Sequence, residues 1–388
     1  MSTTRIEWAT HVWNPISGCD RVSDGCTRCY AAQFARRHRA MGTRGYERDG
    51  LPETSGPGFG LSLHDWTLAE PLRWRSRRER IFVNSMSDAW HPEVPDEYLA
   101  ALWTVMYWTG RDVRGRGSRP VQTYLLLTKR PPRMRAWLKK WADRDTRLAL
   151  IKAAAERGWC DQEDIDNAPF MPDRLASVWL GVSVEDQDTA NTRIPQLMQT
   201  PAAVRFVSAE PLLAPVDLTR WLRPAVDCGH ADPDDGCCTH PATMTPECHR
   251  WVRCPVAGGR WQGLDWVIAG GESGPGGRPM HPSWIRDLRT ACEIAGVPYF
   301  FKQWGEWAPY LEGQPTPAGV HGPMALVDPQ GKTHSPGLGV LAPTGSVRMA
   351  RYGKKRAGHA LDGEHYQQLP GHYADQEAPH NTALTKEN

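Results

Sequence analysis

No stretch of the chain approaches the ~18 consecutive apolar residues that a membrane-crossing helix needs. The first residues, Met1-Ser-Thr-Thr-Arg-Ile-Glu7, lack the apolar core of a secretory signal. A cytoplasmic location with no membrane partner is therefore expected, where the ten cysteines stay reduced and available as ligands. Charge of one sign is also missing. Forty-six basic residues face 44 acidic ones, so the net charge of +2 supplies no global field for DNA or a lipid surface. The dinucleotide pattern G-x-G-x-x-G is not satisfied at Gly270-Gly271-Glu272-Ser273-Gly274, and Pro275, Pro279 and Pro282 delay the helix behind it. Carboxylates with the clustered spacing of a hard-metal hydrolase are absent, which ranks that chemistry last.

What the chain does have is thiols in one place. Cys19-Asp-Arg-Val-Ser-Asp-Gly-Cys26-Thr-Arg-Cys29 is a C-x6-C-x2-C loop, and a helical run from Ala31 to Ala40 follows it at once. Thiolates select zinc, copper(I) or iron–sulfur clusters over hard cations. A structural zinc site would want a fourth ligand, for which His11 and His38 stand nearest in sequence. A [4Fe–4S] cluster on three cysteines leaves one iron open. The glycine- and arginine-rich segment from Met41 to Phe59 reads as a loop or lid.

Beyond it the chain alternates short apolar segments with amphipathic ones. Strands are expected near residues 80–86, 122–127, 177–182, 204–207, 264–269 and 297–301, with another near 11–18. Helices are expected from Pro95, over residues 133–157 (one or two), over 187–199, and over 283–295 with Ser283 as its cap. This is α/β organisation, and we expect a partial (β/α) TIM-like barrel of six to seven parallel strands. Nearly every strand ends in a polar cluster: Asn84/Ser85/Asp88, Thr128/Lys129, Ser183/Glu185, Ser208/Glu210, Gly271/Glu272 and Lys302/Gln303. Taken singly, Ser183 and Asp186 read as helix caps. Together, the ends mark the functional face of a barrel. Many of the 18 tryptophans sit beside strand ends (Trp13, Trp90, Trp304, Trp307), and core is the expected role.

The barrel is expected over residues 1–222 and 263–309. Between them, residues 223–262 carry Cys228, His230, Cys237, Cys238, His240, Cys248, His249 and Cys254. So short an insertion needs a staple, and a zinc ion on four of these groups is expected, without a standard knuckle spacing. Residues 310–388 form a C-terminal extension whose last fifteen or so residues look disordered. The basic run Arg73-Trp-Arg-Ser-Arg-Arg-Glu-Arg80 reads first as a solvated helix face; with Arg36-Arg-His-Arg39 and the zinc-like insertion it also admits DNA or RNA as the substrate, beside a peptide or a small molecule.

The cysteine loop, Phe82-Val-Asn-Ser-Met-Ser-Asp88, Leu127-Thr-Lys-Arg-Pro131, Trp179-Leu-Gly-Val-Ser-Val-Glu185, Phe206-Val-Ser-Ala-Glu-Pro-Leu212, Gly270-Gly-Glu-Ser-Gly274 and Phe301-Lys-Gln-Trp-Gly305 resemble one family. This is the phage three-Cys-motif family, also described as the phage gp thirty-seven/sixty-eight family. Its cysteine motif is compared with that of radical S-adenosylmethionine enzymes. Those enzymes have a partial barrel, a three-cysteine loop after the first strand and an open iron that binds S-adenosylmethionine. The resemblance implies that Cys19, Cys26 and Cys29 ligate the cluster and that an electron donor is a partner. Cofactor and substrate are then expected on the polar strand ends, at Ser85, Asp88, Ser183, Ser208 and an active-site loop of unassigned purpose, Gly270, Gly271 and Glu272; Glu185, Glu210, Lys129 and Lys302 are the catalytic candidates or, alternatively, an internal ion-pair network. Two departures stand out: the usual first gap is three residues rather than six, and the usual Gly-Gly-Glu follows the second strand. The reading from another class is a zinc-stabilised nucleic-acid-binding protein without radical chemistry.

Overall fold

Short apolar runs bounded by polar turns become strands, and the amphipathic runs between them become helices that cover one face of the sheet. A computed structural model describes residues 2–4, 6–74, 79–111, 121–222, 263–310, 324–334 and 343–371. The first third holds β1 (Ser2–Thr3), β2 (His11–Trp13), β3 (Ile16–Ser17), α1 (Tyr30–Ala40), β4 (Ser62–Leu63), α2 (Asp65–Leu68), β5 (Arg80–Val83) and α3 (Asp96–Thr109). Then come β6 (Thr123–Thr128), α4 (Pro131–Ala142), α5 (Arg144–Glu156), α6 (Gln162–Asn167), β7 (Val178–Val184), α7 (Gln187–Met198) and β8 (Val204–Ala209). The described part continues with β9 (Trp266–Gly270), α8 (Pro282–Ala295), β10 (Tyr299–Gln303) and β11 (Trp307–Pro309). It ends with β12 (Met324–Val327), β13 (Thr333–His334), β14 (Val347–Arg351) and α9 (Lys354–Ala357).

Strands β2, β5, β6, β7, β8, β9 and β10 pair in that order, each parallel to the next. Sheet order follows chain order with no reversal, so there is no switch point of the doubly wound kind. The seven strands make a half-barrel. Its two edges are covered by short antiparallel segments, β1 against β2, and Tyr366–Gln368 against β10 through Phe301 N to Tyr366 O and Gln368 N to Tyr299 O. Covered edges remove the unpaired backbone row that invites aggregation.

Alternation along each strand separates two cores. Ile81, Val83, Tyr124, Leu126, Leu180 and Val182 point toward the helices. Phe82, Leu125, Trp179, Phe206, Trp266 and Phe300 point to the opposite, concave face, where Trp8 joins them and, among the described residues, no helix contributes. These rings meet mostly edge-on, as Trp8 with Phe82 at 4.6 Å and Trp179 with Trp266 at 6.0 Å. Each buried ring contributes about 4–6 kcal/mol before the cost of ordering it. Gly181 makes room for this plug, since a Cβ there would lie 2.4 Å from the Phe206 ring. The floor of the half-barrel is therefore apolar and filled, which leaves its chemistry to the strand C-termini.

The caps decide several details. Asp186 caps α7 in a reciprocal box with Thr189, as its spacing suggests. Ser183 is not a cap; it lies inside β7, because the strand runs on to Val184. The cap of α8 is not Ser283 but His281, whose Nδ1 accepts from Ser283 N at 3.2 Å, since the helix starts one residue earlier at Pro282. The span 133–157 is two helices, broken at Asp143, which caps the second. Trp13, Trp90, Trp304 and Trp307 are all buried, and three of their indoles donate to backbone carbonyls of Thr67, Ala360 and Gly277. A four-stranded antiparallel sheet, β11-β14-β12-β13, follows β10 with its own small core of Trp307, Ala325, Val327 and Met349. Among the described residues no helix is long and apolar enough to cross a membrane.

Candidate active site

The cysteine loop lies across the C-terminal ends of the strands. Gly18 N bonds to Met86 O, and Cys19 N bonds to Phe59 O, which fixes the start of the loop between β5 and the segment after α1. A single 3-10 turn, Asp24–Cys26, leads into α1. Cys19 and Cys29 pack against Ala31, Ala35, Tyr46, Phe59 and Met86.

Each part of the loop is tied to a different strand end. Arg130, just after β6, donates to the Cys19 sulfur at 3.2 Å and to Asp20 O at 3.0 Å. Asp88, after β5, holds that arginine at 3.2 Å while accepting from Thr128 Oγ1, Lys129 N and Trp90 N. Glu185, after β7, accepts from Ser23 Oγ at 3.0 Å and from Arg193 at 3.1 Å, and pairs with Lys129. Gly25 rests directly on this carboxylate. Glu272, after β9, takes Arg28 at 3.2 Å and Arg278 at 2.7 Å, and Arg278 also reaches Asp24 O. Tyr30 donates to Ser85 O at 2.6 Å.

These contacts set the charge state of the thiols. Burial, reinforced by Asp88, pushes the Cys19 thiol up to about 12 against the pull of Arg130. Burial likewise raises Cys29. Burial also works on Cys26, but the Lys129 charge and backbone groups of Val22 and Ser23 outweigh it, and this thiol ends below its ordinary value. Glu272 is buried too, yet its bonds to Arg278 and Arg28 hold it below the usual carboxylate range.

The second half of the strand ends makes a separate pair. Lys302 meets Glu210 at 2.7 Å, and Gln303 Nε2 lies 3.4 Å from the same oxygen. A register shift between Phe301 and Gln303 in β10 turns both side chains to this spot. Around the strand ends, buried polar atoms remain without partners: Asn84 Oδ1 and Nδ2, Glu185 Oε2, Ser208 Oγ and Gln303 Oε1. Asn84 also sits at φ +60°, in the left-handed region that asparagine tolerates better than most non-glycine residues. These five atoms at the strand ends are donors and acceptors open to a polar ligand. A cavity of ≈ 220 Å³ opens on the other side of Cys19, against Asp20, His91 and Leu51.

Residues 3–370 match a family described as a protein of unknown function (DUF5131). The chain belongs to the DUF5131 family. No curated protein and no solved structure matches it.

In this DUF5131 chain the strand ends divide into two sets. Glu185, Glu272, Asp88 and Lys129 are engaged in holding the cysteine loop, whereas Glu210, Lys302 and Ser208 do not touch it through any hydrogen bond among the described residues. Ser85 Oγ donates to Asn14 Oδ1. Gly270 faces Glu210 and Lys302, and Gly271 lies against the Trp304 carbonyl. His11 pairs with Glu79 and His38 stacks on Tyr46, so neither supplies a fourth ligand to the thiols. Sequence reasoning placed Asn84 in a strand-end cluster without a role of its own, and it missed Arg130, Arg28 and Arg278. Arg130 carried a signal, since it adjoins Lys129 at a strand end; the others become visible only in space. Cys228, His230, Cys237, Cys238, His240, Cys248, His249 and Cys254 lie outside the described residues, as do residues 75–78 of the basic run and the last seventeen residues.

The three thiols stand on one loop and act on one another. Cys19 and Cys29 interact electrostatically, as do Cys26 and Cys29, and two cations, Lys129 and Arg130, face them. Among the described residues, no three His, Cys, Asp or Glu groups stand close enough to share a single metal ion.

Proposed function

We propose that this protein is a radical-S-adenosylmethionine-like iron–sulfur enzyme, with Cys19, Cys26 and Cys29 as the protein ligands of a [4Fe–4S] cluster. When bound, that cluster would supply an electron, received from an external donor, to S-adenosylmethionine held at its open iron. The observation that carries the reading is the clamped cysteine loop: three coupled thiols, faced by Lys129 and Arg130, on the functional edge of a half-barrel.

The chain's own residues then have distinct tasks. Asp88 orients Arg130, which donates to the Cys19 sulfur and favours its thiolate. Glu185 and Glu272 hold the two halves of the loop in register with the sheet. Lys302, Glu210, Ser208 and Asn84 offer the donors and acceptors that a zwitterionic amino acid and a ribose need. The aromatic floor excludes water from below. Zinc in residues 223–262 belongs to the same reading as a staple.

The test is iron, sulfide and visible absorption of protein purified without oxygen, compared with Cys19→Ala/Cys26→Ala/Cys29→Ala. A brown protein with about four irons, lost in the triple variant, is expected. A colourless protein holding only zinc after iron–sulfide reconstitution would overturn the proposal in favour of the zinc-stabilised binding protein.

A further inference from the structure

Helix α1 carries an exposed face that the cysteine site does not use. Its buried side is Ala31 and Ala35, against the loop core. On the flank next to it Tyr30, Phe34, Arg37 and Met41 fall at helical spacing in one stripe, with Tyr30 45%, Phe34 47% and Met41 77% exposed. The rings of Tyr30 and Phe34 stand 6.4 Å apart, edge to face, and the Arg37 guanidinium lies 5.7 Å above Phe34. The stripe begins at the strand ends, where the Tyr30 hydroxyl meets Ser85 O.

The same stretch is strongly cationic. Positions 21–48 hold seven arginines, no lysine and two carboxylates, in a chain whose net charge is only +2. Arg36 and Arg37 make no ion pair among the described residues, whereas Arg39 pairs with Asp49 and Arg48 with Glu93. Just beyond, the Arg44 guanidinium lies 3.7 Å over Trp66, another exposed ring. Free guanidinium groups beside exposed rings match the two repeating parts of a single strand, phosphates and unpaired bases. The excess of seven arginines over two carboxylates favours a polyanion over a protein surface of mixed charge. A duplex is disfavoured because its bases are already stacked.

We propose that the exposed face of α1 is a platform for single-stranded nucleic acid that leads to the strand ends. The binding stands on this surface alone; its service to catalysis rests on the reading of the cysteine loop given above.

The test is fluorescence anisotropy of labelled single-stranded DNA and RNA, about 20 nucleotides long, with the anaerobically purified full chain. A duplex of the same sequence and heparin serve as competitors, and iron is measured on the same samples. Expected are preference for the single strands and about tenfold weaker binding by Phe34→Ala. Arg36→Glu/Arg37→Glu is expected to cut both affinity and the salt slope. These side chains are exposed, and melting temperatures verify that the variants fold. No binding at low salt, equal binding by the variants, or heparin competition that ignores Phe34→Ala would overturn the proposal. Binding without iron would overturn the cluster reading alone, and iron without binding would overturn this surface alone.

Discussion

Arg130 donates to the Cys19 sulfur at 3.2 Å, and the same nitrogen lies 3.2 Å from Asp88 Oδ2. A cation is thus shared between a half-buried thiol and a buried carboxylate, at the junction of β5, β6 and the cysteine loop. Removing it leaves Cys19 facing the Asp88 charge in an apolar setting, which disfavours the thiolate. Arg130→Gln is expected to retain iron roughly ten- to a hundred-fold more weakly, the worth of a charge-assisted hydrogen bond. Arg130→Lys should recover part of this. Iron per chain after desalting, and a lower midpoint potential in what remains, are the readouts. Unchanged retention and potential in Arg130→Gln would show that the contact is inert.

Glu272 predicts a pH signature. Its carboxyl is held below the ordinary 4.5 in the fold, so it stabilises fully above the unfolded value and loses that stabilisation as pH falls through the folded one. Glu272→Gln should therefore lower stability by about 1–2 kcal/mol near neutrality, discounted because both arginines keep about a third of their side chains exposed. The gap between wild type and variant should close below pH 4.5. Denaturant melts at pH 7 and at pH values below 4.5 compare the two, and a constant gap would contradict the assignment.

Gly25→Ala tests the fit of the loop on the sheet. The added Cβ would lie 2.5 Å from Glu185 Cγ, and that side chain cannot step aside while Ser23, Lys129 and Arg193 hold it. A loss of about 1–3 kcal/mol is expected, confined to the loop. Circular dichroism should be preserved while the cysteines become faster to alkylate. Wild-type alkylation rates would refute the tight packing.

Asn84 separates stability from binding. At φ +60° glycine is equally at ease, so Asn84→Gly should leave stability within about 1 kcal/mol of wild type. The side chain it removes has two buried polar atoms without partners. Calorimetry with S-adenosylmethionine should show about tenfold weaker binding, as expected for one lost hydrogen bond to a charged group. Equal affinity in a variant of equal or greater stability would remove Asn84 from the site.

The sequence by itself determined the strand–helix alternation, the seven parallel strands in chain order and the position of the three thiols at the start of the sheet. It did so because period and turn residues are local properties. It also marked the functional end of the sheet, since polar residues recur where the apolar strands stop. What only the tertiary structure decided is which polar end does what. Arg28 meets Glu272 across 244 positions and Ser23 meets Glu185 across 162, so no spacing rule brings them together. A carboxylate at a strand end looks the same in sequence whether it binds a ligand or clamps a loop. The difference lies in the partners that folding delivers, and here it assigns Glu185 and Glu272 to the clamp and leaves Asn84 and Ser208 without partners.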